Sequence, residues 1–207
     1  MSRWLLPVAA LATLGGYFGP WVGHRAAGLI ITGLDMGEYV KFLPPVRAGE
    51  IWLWRPGFYA PLVAVSAACM LAAYRREVAF PFWMRLGLLV VAGMAALNLL
   101  PPAWTPARLL EPEFHVQTAA LIALLVGLAI SPMLAHFPAR FYRAGVIILV
   151  AAATSFPVQG FFAALPVIAS LYNRPLRPAW GLWLMLTGLL LLAVAAWRIP
   201  SAARPAR

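Results

Sequence analysis

The chain has 207 residues, of which 63% are hydrophobic and only 11% charged, and its net charge is +10. A soluble domain carries about a quarter charged residues, so this composition excludes an ordinary globular protein and points to helices that cross a bilayer. At roughly 20 residues per span there is room for six or seven spans and for no second, soluble domain.

The positive charge does not indicate nucleic acid. Fifteen of the 16 basic residues are arginines, scattered singly or in pairs at the ends of apolar runs. That is the pattern of orientation signals and headgroup contacts, whereas a nucleic-acid surface needs a clustered stripe. The single Cys69 excludes an intrachain disulfide. Histidine and cysteine show no metal-ligand spacing, so no metal is expected.

Residues 4–22 read as the first span. Ala10-Leu11-Ala12 resembles a signal-peptidase site, but the apolar run continues past it, so the segment reads as a retained span. Residues 19–55 follow as the one polar island, with Asp35, Glu38, Glu50, His24, Arg25 and the only lysine, Lys41. Further spans are expected at about 58–74, 85–100, 116–134, 144–172 and 180–197. The fifth is expected to break near Pro157, because proline supplies no backbone donor. A basic tail closes the sequence.

The arginines orient the bundle. With the N-terminus inside, the cytoplasmic segments hold Arg3, Arg75, Arg76, Arg85, Arg140, Arg143, Arg198, Arg204 and Arg207 against one acid, Glu77. The short inner loops keep these charges beside the spans, where the positive-inside rule acts. Both termini are therefore expected in the cytoplasm and residues 19–55 on the outer face. The fold class expected is all-α: a membrane bundle of six transmembrane helices plus one interfacial or re-entrant amphipathic helix over residues 33–43. Three spans followed by three would permit an inverted repeat, but nothing after the fourth span matches residues 19–55.

That short helix has local signals. Thr32 followed three residues later by Asp35 resembles a capping box, and Pro44-Pro45 stops the helix. Met36, Tyr39, Val40 and Leu43 share one face; Asp35, Glu38 and Lys41 share the opposite one. Trp21, Trp52 and Trp54 flank the region and are expected at headgroup level.

The candidate ligand or ion-pathway residues are His24, Arg25, Asp35, Glu38, Lys41, Asn98, Gln117 and Gln159. Carboxylates facing a cavity between helices relay protons, bind cations or meet polar headgroups. The plainer reading makes Asp35 and Glu38 a solvated face, with Glu38–Lys41 an i,i+3 pair, and makes Asn98, Gln117 and Gln159 bonds between helices. A bis-histidine haem through His24 and His115 is geometrically open but lacks a spacing motif, and His136 falls at the opposite end of the fourth span. Glu111 and Glu113 form a carboxylate pair in a proline-rich outer loop, expected to be solvated. No nucleotide-binding glycine loop, GxSxG or HExxH occurs, so no cofactor and no catalytic residue is expected.

Three functions are compatible with these residues. The first is a non-enzymatic membrane subunit of a larger complex, a transporter whose energy comes from partner chains such as a cytoplasmic ATPase. The second is a self-contained carrier or channel using Asp35 and Glu38. The third is a membrane enzyme acting on a lipid-linked substrate at the outer leaflet, with His24 or Glu38 as base. The partners expected are the lipid bilayer and other membrane subunits, and no nucleic acid.

Overall fold

A computed structural model of the chain describes residues 3–24, 29–102 and 104–200. The described residues are predominantly helical, with one small two-stranded sheet. In chain order, α1 (Leu5–Phe18) leads into β1 (Pro20–Val22), which pairs antiparallel with β2 (Ile31–Thr32). Then come α2 (Gly33–Tyr39), a 3-10 turn at Val40–Phe42 and α3 (Pro44–Arg47). A 3-10 turn at Arg55–Tyr59 runs into α4 (Ala60–Ala73), followed by α5 (Phe82–Leu97) and α6 (Pro106–Leu109). The chain continues through α7 (His115–Ala129), α8 (Ser131–Leu134), α9 (Ala139–Leu171) and α10 (Trp180–Trp197).

Four of these stretches are long and apolar enough to cross a membrane: Arg55–Ala73, Pro112–Ala129, Ala139–Leu171 and Trp180–Trp197. α1 and α5 are equally apolar but shorter. The first helix stops at Phe18 rather than continuing to residue 22, because Pro20–Val22 turns into the hairpin. The fourth ends at Ala129, and Pro132 sits in the first turn of the separate α8.

The expected break in the fifth span is absent. α9 runs unbroken for 33 residues with both Pro157 and Pro166 inside it. A proline removes one donor and crowds one carbonyl, which kinks or weakens a helix locally without ending it when packing holds both sides. Here Phe161, between the two prolines, is fully buried edge-on against Trp21.

α4 is the central post, with α1, α5, α7 and α9 all packed on it. α1 and α10 make the closest pair. A Cβ on Gly16 would lie 2.1 Å from the Met185 backbone nitrogen, and one on Gly188 would lie 2.4 Å from that of Thr13. Only small residues allow two backbones so near each other. Thr13 between them returns its hydroxyl proton to the Ala9 carbonyl (2.8 Å).

Trp21 does not face the surroundings of the protein. It is fully buried, its Nε1–H donates to the Gly16 carbonyl (3.1 Å), and Tyr17, Phe58 and Phe161 surround its ring. An indole whose N–H is already bonded no longer needs the water that draws tryptophan to an interface. Trp52 is 73% exposed and Trp54 37%. β1 is also tied to the start of α10, where the Ala179 amide donates to the Trp21 carbonyl (2.8 Å).

Candidate functional site

The polar island starts its helix where the local signals predict, but the α-helix ends at Tyr39, a 3-10 turn carries it to Phe42, and Pro44 opens α3 instead of only stopping α2. Thr32 Oγ1 accepts from the Asp35 amide (3.3 Å), and the Asp35 carboxylate accepts from the Thr32 amide (2.9 Å), closing the capping box. Met36, Val40 and Leu43 are buried beneath the helix. Pro44 follows as the first residue of α3, where its missing donor costs nothing.

Two glycines let α2 lie flat on the bundle. A Cβ on Gly33 would fall 2.6 Å from the Trp21 ring, and one on Gly37 would fall 2.8 Å from the Tyr59 ring. The second approach sets the site, because it carries the Tyr59 hydroxyl across Gly37 to donate to Glu38 Oε1 (2.8 Å).

Glu38 is the hub of an ionic cluster joining three parts of the chain. Lys41 Nζ lies 2.8 Å from Glu38 Oε2 and 3.1 Å from Glu113 Oε1. Arg55 pairs directly with Glu113 through NH1, while its NH2 lies 3.9 Å from Glu38 Oε1 and 3.5 Å from Gln117 Oε1. Gln117, buried at the start of α7, donates its amide to the Leu99 carbonyl just past the end of α5. The Phe114 ring lies 5.0 Å below the Arg55 guanidinium. Two cations therefore compensate two carboxylates, and α2, the start of α4 and the start of α7 are bound together. Partial burial alone would lower the Lys41 pKa, but its hydrogen bonds to Glu38 and Glu113 outweigh that and hold it above the usual lysine value.

The expected site residues divide. Glu38, Lys41 and Gln117 belong to the cluster. Asp35 is exposed and closes its helix cap. Asn98 donates to the Met94 carbonyl one turn back (2.8 Å) and lines a cavity of about 260 Å³ with Asp35, Glu38 and Tyr59. Gln159 is exposed on α9 and lines neither that cavity nor the groove described below. His24 meets the Tyr172 ring edge-on, 5.6 Å between centroids. His115 Nε2 lies 2.8 Å from the Leu110 carbonyl. Arg25 lies outside the described residues.

Sequence reasoning missed Arg55 and Tyr59 and treated Glu113 as solvated. Glu113 is 46% exposed at its side chain, yet it bridges both cations. No local spacing marked them: Arg55 and Tyr59 are the two ends of a 3-10 turn, whose three-residue period does not set residues four apart on one face. Among the described residues, no three of His, Cys, Asp and Glu gather where they could hold a metal ion. Comparison with known protein families, with curated proteins and with solved structures finds no match.

Proposed function

We propose that the chain is a six-pass integral membrane protein with both termini in the cytoplasm, acting as a non-enzymatic subunit of a larger membrane complex, a transporter driven by partner chains. The observation that carries this reading is the self-compensation of the ionic cluster. Glu38 is held by Tyr59, Lys41 and Arg55, and Asp35 by its own cap. Such groups fasten the outer cap to the bundle. A carrier path through Asp35 and Glu38 would need these carboxylates to exchange partners in each cycle, so the clamp favours a scaffold.

Six passes are supported by α1 and α5, which span about 21 and 24 Å at 1.5 Å per residue and bury side chains in the same core as the four longer segments. Each is a little shorter than the roughly 30 Å hydrocarbon core, within what local thinning and flanking residues absorb. The buried Arg75 supports placing that end of α4 in the cytoplasm, beside Arg76.

Two experiments test the proposal. Single cysteines at Ala48 and at Ala135, in a Cys69→Ala background, are expected to react with an impermeant maleimide from opposite sides of intact cells or inverted vesicles. Labelling from one side would overturn the topology. Purification in mild detergent is expected to retain partner chains in fixed ratio, and transport by the isolated chain in liposomes would overturn the subunit reading.

A further inference from the structure

Below the ionic cluster the bundle leaves a slot. α7 and α9 both pack on α4, and between them lies an apolar groove of about 180 Å³ whose walls include Trp54, Val63, Leu99, Val116, Ala120 and Phe156. Val116 and Phe156 are 51% and 38% exposed, so the groove opens sideways on the outside of the bundle. Gln117 and Tyr59, both part of the cluster, also line it.

Pro56 joins this groove to a second space. It also lines an open basin of about 620 Å³ formed with Lys41, Phe42, Arg47, Arg55 and Glu113. Three cations face one carboxylate in that basin, and with Glu38 behind them one positive charge is left in excess. The added charge is Arg47, exposed in the last turn of α3. An apolar slot that opens to the bilayer and ends in a cationic basin matches an amphiphile with a hydrocarbon tail and an anionic head.

We propose that this pair of spaces binds one anionic phospholipid of the surrounding bilayer. One acyl chain lies in the groove between α7 and α9, and the phosphodiester meets Arg47, Lys41 and Arg55. A partner helix is about 10 Å across with its side chains, too wide for a groove of this volume, whereas a single hydrocarbon chain is not. Basic pockets between membrane helices suit anionic headgroups for the same electrostatic reason. The assignment does not depend on the subunit reading, because a scaffold, a carrier and an enzyme could each hold such a lipid.

The test is native mass spectrometry of the full chain after exchange into micelles containing equal phosphatidylglycerol and phosphatidylcholine. The wild type is expected to retain one phosphatidylglycerol in at least tenfold preference to phosphatidylcholine. Ala120→Phe, which fills the groove, is expected to lose the adduct, and Arg47→Glu is expected to abolish the preference. Equal retention of the two lipids, or an adduct unchanged in Ala120→Phe, overturns the proposal. A measurement on the unaltered chain guards against misfolding of the variant. Phosphatidylglycerol carrying a photoreactive acyl chain is expected to label Ala120 and Phe156. Label spread evenly over lipid-facing residues of all helices means an annular shell only and overturns the site, as does a co-purifying chain that excludes the lipid.

Discussion

α4 ends in charge on both sides, and the two ends are built differently. At the Tyr59 end, Lys41, Arg55, Glu38 and Glu113 share their bonds, with side chains between 12% and 46% exposed. At the Tyr74 end, Arg75 is almost wholly buried. Its NH1 lies 3.3 Å from Glu77, its NH2 donates to the Phe137 carbonyl (3.2 Å), and its guanidinium lies 4.8 Å from the centre of the Tyr142 ring. The Tyr59 end distributes several half-wet charges so that loss of one leaves the others partly compensated. The Tyr74 end places one dry cation among one acid, one carbonyl and one ring, so little can replace it. The lesson is that desolvation, more than the number of ion pairs, sets how much a charged contact matters here.

The comparison is broken most directly by truncating each end in turn and following thermal unfolding in detergent. Arg75→Ala is expected to cost the most, about 3 kcal/mol, because it leaves Glu77, the Phe137 carbonyl and the buried Tyr142 ring without the cation they share. A loss no greater than that of Arg55→Ala would sink the contrast. Arg55→Ala is expected to cost about 2 kcal/mol, since Glu38 and Glu113 keep Lys41 and some water. Lys41→Met should cost only a few tenths of a kcal/mol, as a third of its side chain is exposed and solvent screens the pair.

The pH dependence sharpens the same point. The folded state holds the Lys41 proton more tightly than the unfolded chain does. Its stabilising contribution is therefore fully present below the unfolded lysine pKa of about 10.4 and is lost as pH rises through the higher folded value. The difference in melting temperature between wild type and Lys41→Met is expected to stay constant from pH 7 to pH 9 and to shrink only above about pH 10.4. A difference that falls between pH 7 and pH 9 would mean that other groups control the cluster.

Much of the scaffold was legible because its causes are local. The limits of α10, at Trp180 and Trp197, follow from an uninterrupted apolar run. The start of α2 follows from Thr32 and Asp35, residues close in sequence. What escaped depended on contacts between distant residues. Arg55 and Glu113 are 58 residues apart, and Lys41 and Glu113 are 72 apart. Nothing in either neighbourhood names the other. Arg75 read only as an orientation signal because its further partners are a backbone carbonyl and an aromatic ring, which leave no charge pattern to notice. Trp21 read as interfacial because the carbonyl that satisfies its N–H is a main-chain atom of Gly16. Pro157 read as a break because a sequence shows the missing donor but not the aromatic packing around the uninterrupted α9.

That continuous α9 has a consequence for the membrane around it. Its apolar part, from Ala144 to Leu171, is about 42 Å long at 1.5 Å per residue, against a hydrocarbon core of about 30 Å. Upright, it would lift about two turns out of the oil; fully immersed, it would have to lean by about 45°, slightly beyond the range usual for membrane helices. The two prolines ease neither outcome. Nine residues apart, they lie on opposite faces, Pro157 buried and Pro166 exposed, so bends at the two would oppose each other and not add up. A bilayer thickened by longer acyl chains would relieve this mismatch, so membrane thickness becomes a variable that selects where the protein is most at ease.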